Sequence, residues 1–226
     1  MPTSKRVICL ANSRKLSGRC IAGIELESDR PPSWIRPISA RPHQEVSERE
    51  RQYFDGSDPR VLDVLDLPLL EHHPSQFQQE NWLLDPERYW ARRGTFPVTD
   101  LGRFAESAGP LWVNGAATYH GKNDEIPLAT ANTLQSSLKL IFVERLALSV
   151  FQPGLNFGDP KRRVQARFRF SGVDYALWVT DPVIERAYLA RPDAVHELGA
   201  SYLTVSIGEP YNDKCYKLVA AIIPVT

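Results

Sequence analysis

The chain has 226 residues, and its 27 Lys plus Arg equal its 27 Asp plus Glu, so it carries no net charge at pH 7. Hydrophobic residues make up 42% and charged residues 24%, which excludes a disordered chain and a histone-like polycation but not local charged patches. At roughly 150 residues per domain, this length holds one large or two small domains.

Strand patterns open the chain at Arg6 to Ala11 and Cys20 to Leu26, where Cys20, Ala22, Ile24 and Leu26 share one face at period two. A short strand follows at Trp34 to Arg36. Charged residues at helical spacing over 43–53 predict a short helix, and Val61 to Leu70 predicts a strand. Residues 71–136 are rich in Pro, Gly and Asn and poor in periodicity, with a helix predicted from Asp85-Pro86 through about Arg93. Strands return at 138–150, 163–170, 173–180, 201–207 and 214–223, and Asp181-Pro182 opens a helix through about Leu189. Cys9, Cys20 and Cys215 are odd in number and show no C-x-x-C spacing, so neither a disulfide framework nor a zinc knuckle is indicated. The longest apolar run, Leu218 to Pro224, falls far short of the ~20 residues of a membrane span, and no leader-like run opens the chain. A cytoplasmic protein that avoids membranes is expected.

Strands at both ends with an irregular middle predict a mainly β fold with minor α: two small β-barrels packed together. The expected boundaries are 1–110 for an N-terminal barrel with a helical insert, 111–137 for a loop-rich connection, and 138–226 for a C-terminal barrel. A short echo, Trp34-Ile35-Arg36-Pro37 against Trp178-Val179-Thr180-Asp181-Pro182, hints at a repeat.

Residues 163–180 read as a β-hairpin. Val164, Ala166, Phe168 and Phe170 alternate with Arg163, Gln165, Arg167 and Arg169. Ser171-Gly172 fits a two-residue turn, which sets Arg169 opposite Asp174 and Gln165 opposite Trp178. The polar face then carries three arginines around Trp178, the pattern of a surface that stacks bases and pairs phosphates of single-stranded nucleic acid. The competing reading is a plain Arg169–Asp174 cross-strand pair, with Trp178 covered by the helix from Asp181. A second basic cluster, Lys5, Arg6, Arg14, Lys15 and Arg19, contains no acid before Glu25. Within it Asn12-Ser13-Arg14-Lys15 reads as a β-turn loop able to grip a phosphate, or as a loop kept soluble by charge.

Familiar catalytic motifs are absent: no GxGxxG, P-loop, G-x-S-x-G or H-E-x-x-H occurs. His72-His73 reads as an exposed pair rather than a ligand pair, because neighbours on a strand point to opposite faces. His120-Gly121-Lys122-Asn123-Asp124 reads as a pocket cap or as a turn. No catalytic residue, cofactor or metal is assigned.

Asn12-Ser13-Arg14-Lys15 with Gly18-Arg19-Cys20-Ile21-Ala22-Gly23 resembles the opening of the bacterial dual OB-containing domain family. Trp34-Ile35-Arg36-Pro37-Ile38-Ser39, Glu80-Asn81-Trp82 and Asn123-Asp124 are similar too, as are the runs Tyr202 to Pro210 and Cys215 to Ala221. The resemblance implies two OB-like barrels and a nucleic-acid or nucleotide-sensing role in defence against foreign DNA. It supplies no catalytic set. The expected function is therefore a non-catalytic module that binds single-stranded nucleic acid or a nucleotide. One contact surface is Arg163, Arg167, Arg169 and Trp178; the other is Asn12, Arg14, Lys15, Arg19, Trp34 and Arg36. The alternatives are an enzyme on a nucleic-acid or nucleotide substrate, using Asp124, Glu209 or His120, and an adaptor that presents a partner enzyme to its target.

Overall fold

The computed structural model describes residues 3–26 and 32–225. They form two compact units, one of Met1–Asp100 with Gln135–Ser137, the other of Leu101–Leu134 with Leu138–Thr226.

The first unit contains β1 (Thr3–Lys15), β2 (Gly18–Glu25), β3 (Trp34–Ile38), the single helical turn α1 (Glu48–Arg51), β4 (Asp63–His72), β5 (Asn81–Leu84) and β6 (Ala91–Thr95). Its sheet runs β1-β2-β3-β5-β4 and closes by pairing β4 with β1; β6 is added beside β4. The β3–β5 pairing is parallel, whereas the others are antiparallel. The second unit contains β7 (Glu125–Pro127), α2 (Leu128–Ala131), β8 (Leu138–Phe151), β9 (Arg163–Phe170), β10 (Val173–Val179), α3 (Pro182–Leu189), β11 (Ala194–Ile207) and β12 (Lys214–Pro224). Its sheet runs β8-β9-β10-β12-β11 and closes through β11–β8, again with one parallel pairing, β10–β12. Both units are thus closed five-stranded barrels of one topology, and the chain is a mainly β protein of two OB-like barrels.

Each barrel has its own core. In the first, Val7, Ile21, Ile35, Leu65 and Leu84 meet; in the second, Leu146, Ala166, Leu177, Leu203 and Val219. The alternation over Leu203, Val205 and Ile207 buries all three, and β12 is buried on both faces from Val219 to Ile223. At Gly23, opposite Cys9, a Cβ would stand 2.2 Å from the Ile8 carbonyl oxygen, so glycine alone permits this close strand crossing.

Three local expectations are corrected. The helix from Asp85 does not form. The Asp85 carboxylate accepts from Glu87 N at 3.1 Å in a turn, because Trp90 bridges Tyr53 and the chain from Ala91 is drawn into pairing with β4. The helix over 43–53 shrinks to α1. Gln44 has a left-handed φ of 58° and Val46 bridges Arg19, so helix can begin only after Ser47, which caps it with Glu50 as a capping box. Asn12-Ser13-Arg14-Lys15 is not a loop but the end of β1; the turn is Leu16-Ser17, with Leu16 at φ 48°. The helix from Asp181 forms as expected, its carboxylate capping Val183 N and Ile184 N at 2.9 and 3.2 Å.

Candidate nucleic-acid interface

β9 and β10 are the second and third strands of their barrel. Ser171 and Gly172 both have positive φ, 48° and 78°, as the two-residue hairpin turn requires. The register follows: Phe170 faces Val173, Arg169 faces Asp174, Phe168 faces Tyr175 and Gln165 faces Trp178. The apolar set points into the core, while Arg163, Arg167 and Arg169 are exposed.

Trp178 is half-buried. Phe151 stacks against it at 5.7 Å between centroids and 29° between planes, and the Arg163 guanidinium lies 4.3 Å from its ring centroid. The aromatic series continues through His120, 5.5 Å from Phe151, to Tyr119, 4.7 Å from His120 and 87% exposed. Four rings and a guanidinium therefore line up along the β8–β9 end of the barrel.

The rest of the hairpin's polar face is not bare. Residues 118–124 run over it: Lys122 bridges Ala176, the Asn123 amide donates to the Asp174 carbonyl at 3.0 Å, and buried Gln165 donates to the His120 carbonyl at 2.8 Å. Between this segment and the hairpin lies a cleft of about 440 Å³ lined by His120, Lys122, Arg167, Asp174 and Tyr175 among others. Arg167 donates to Gln165 Oε1 at 3.2 Å, and Arg169 pairs with Asp174 at 3.3 Å. The Lys122 ammonium, 2.8 Å away, with Arg169 behind it, holds Asp174 below the usual carboxylate range. Arg162 turns elsewhere, to Asp193 and the Leu189 and Arg191 carbonyls. The segment is anchored from beneath by Lys217 of β12, which is fully buried and donates to Val113 O, Asn123 O and Asn114 Oδ1 at 2.5, 2.7 and 3.0 Å.

In the first barrel, Arg14 and Arg19 stand directly opposite one another across β1 and β2, with Lys15 opposite Gly18. Arg14 is exposed; Lys15, Arg19, Asn12 and Trp34 are intermediate. The Asn12 amide donates to the Pro59 carbonyl at 2.7 Å, and Trp34 faces Ile24 on β2. Arg36 is the residue that leaves the set: it is 4% exposed and spans to Ser137 Oγ at 2.6 Å and Glu80 Oε1 at 3.1 Å. A side chain so enclosed holds the fold and is out of reach of an external phosphate.

Sequence reading missed Phe151 as the partner of Trp178 and Tyr119 as the exposed end of the same ring series. Their separation from it in the chain left no local signal: Phe151 reaches Trp178 through the pairing of β8, β9 and β10, and Tyr119 arrives on the segment held by Gln165. His120 and Lys122 were legible as a polar turn, but not as the cover of the hairpin. Among the described residues no cluster of His, Cys, Asp or Glu has the makings of a metal site, His72 and His73 are both exposed, and no helix is long and apolar enough to cross a membrane. No curated protein and no solved structure matches the chain. The family model described as dual OB-containing domain matches residues 5–222. Two barrels of one topology stand behind that match, and the chain belongs to the dual OB-containing domain family.

Proposed function

We propose that the protein is a module that binds single-stranded nucleic acid, with the β9–β10 face of the second barrel as its principal contact. The observation that carries the reading is the line from Tyr119 through Phe151 and Trp178 to Arg163, with Arg167 and Arg169 along the same hairpin. OB barrels present their second and third strands, with the flanking loops, to oligonucleotides, and β9 and β10 hold those positions. Bases stack on the rings, and the guanidinium groups take phosphates. A base arriving on Trp178 takes the place of the Arg163 guanidinium, which then swings to a phosphate.

Asn12, Arg14, Lys15, Arg19 and Trp34 form a second, lesser contact on the first barrel. Arg14 and Arg19 stand opposite one another across β1 and β2, which sets two guanidinium groups side by side. Arg36 takes no part.

Binding is favoured over reaction because two of the three groups suited to acid–base work are engaged in holding the 118–124 segment. Asp124 accepts from Thr118 N at 2.8 Å and Thr118 Oγ1 at 2.6 Å, and His120 Nε2 shares a hydrogen bond with the Pro153 carbonyl at 2.8 Å.

The test is a salt titration of binding to single-stranded DNA and RNA. Replacing Arg163, Arg167 and Arg169 with Ala is expected to weaken binding at every sequence alike. It should also flatten the slope of log K against log salt by roughly 0.7 per lost contact. Trp178→Ala is expected to cost about 1–3 kcal/mol with the slope unchanged. A triple variant that binds with the parent's affinity and slope overturns the reading.

A further inference from the structure

A cleft of about 720 Å³ in the first barrel lies between residues 53–60 and β6. That is within the range of pockets that enclose small ligands. None of its lining residues belongs to the surfaces proposed above. We infer that this cavity is a separate binding site for a nucleoside monophosphate, either free or as the phosphorylated end of a strand.

The inference rests on which groups in the cavity are already committed and which are not. Its acids are committed. Asp63, 3% exposed, accepts from the Tyr53 hydroxyl at 2.8 Å, Arg60 N at 2.9 Å and Arg92 Nε at 2.7 Å. Asp58 pairs with Arg51 at 2.9 Å, and Asp55 accepts from the Ser57 backbone and hydroxyl at 2.9 and 2.6 Å. The available groups are donors and ring faces. The exposed Arg60 guanidinium has no partner among the described residues. Arg93 uses Nε on Asp66, which leaves its two terminal nitrogens for a ligand. Trp90, 2% exposed, closes the wall behind them. At the rim Phe54 is 87% exposed and Tyr89 56% exposed, their rings edge to face at 5.6 Å.

Two exposed rings at one rim offer an apolar face to a ligand, and a planar base is a surface that fits a ring face. Guanidinium groups in a fork match the oxygens of a phosphate. A ring joined to an anion satisfies both at once; a bare sugar, a cation or an uncharged apolar chain does not. The base is therefore placed on Phe54 and the phosphate toward Arg60 and Arg93.

The experiment is calorimetric titration of the full chain with AMP, UMP, adenosine and a 5′-phosphorylated tetranucleotide. Arg60→Ala and Phe54→Ala are the variants of choice, since both side chains are exposed and neither supports the core. The monophosphates are expected to bind, adenosine to bind about tenfold more weakly, and each variant to lose about tenfold in AMP affinity. A tetranucleotide that displaces AMP assigns the site to strand ends, and one that does not assigns it to the free nucleotide. The proposal is overturned if neither monophosphate binds, if adenosine binds as tightly as AMP, or if both variants keep the parent's affinity. It is also overturned if AMP affinity falls with Trp178→Ala and not with Phe54→Ala, which puts the ligand on the second barrel. Strand binding at the β9–β10 face can survive every one of these failures, so the two readings fall separately.

Discussion

Lys217 carries an ammonium group into a barrel wall with no exposure, and three oxygens receive it. Burial pulls its pKa from 10.5 down to about 8. Between those two values the unfolded chain binds the proton more tightly than the folded one, so this group's contribution to stability rises as pH climbs from about 8 to 10.5. Lys217→Met is expected to erase that rise. It also leaves buried oxygens without a donor, at a cost of about 1–3 kcal/mol for each group not rescued by water. Denaturant midpoints at pH 7.5 and pH 10 measure both effects. Cys215 nearby in sequence is pushed from 9.0 up to about 11 by burial, so between those values the unfolded thiol loses its proton first and this group's contribution falls with pH, opposing that of Lys217; comparing the Lys217→Met variant with the parent at both pH values cancels it.

The β9–β10 hairpin is the element most legible in the sequence. Strict alternation named its two faces and a two-residue turn named its register, because both depend on neighbours in the chain. One detail of that turn is improvable. Ser171 sits at φ 48°, where L-residues other than Asn and Asp pay roughly 1–2 kcal/mol. Ser171→Asn is expected to raise the melting temperature without moving any face residue, and an unchanged or lower value counts against this account of the turn. What the sequence could not reveal is the segment 118–124 laid across that face, since its seat depends on Lys217, Gln165 and Asp174 arriving from three distant strands. The Asp85 helix failed for the same reason: a good cap is outweighed when flanking residues are claimed by strand pairing. β12 belongs to the legible class, being apolar on both parities. Removing residues 218–226 is expected to unfold the second barrel rather than trim it, since Leu218 and Val219 pair with both β10 and β11. A soluble truncated protein with the parent's melting temperature contradicts this.

Across the molecule, two barrels repeat one strand order, and the echo between Trp34 and Trp178 falls on corresponding third strands. It does not fall on corresponding positions. Matched on their parallel partners, Trp178 corresponds to the Arg36–Pro37 region of β3, two or three residues beyond Trp34. The repeat is one of topology more than of side chains, which is why the motif looked faint. The separate cores carry a prediction at this scale. Arg36→Ala leaves Glu80 as a buried carboxylate without its cation, a change worth about 3–5 kcal/mol. Amide hydrogen exchange is expected to accelerate in β1–β5 and to hold in β8–β12, and uniform acceleration argues against separate cores. The same buried group has a consequence for the order in which the chain is made. The Ser137 hydroxyl bonds both Arg36 and Glu80, yet Ser137 follows the last strand of its own unit, β6, which ends at Thr95, by 42 residues. A ribosome working at 5–20 residues per second leaves that cluster one partner short for roughly 2–8 s after the strands exist. During synthesis the first barrel is thus a nearly closed body with a vacant polar seat, waiting for a piece of chain that is delivered only after the second unit has begun to emerge.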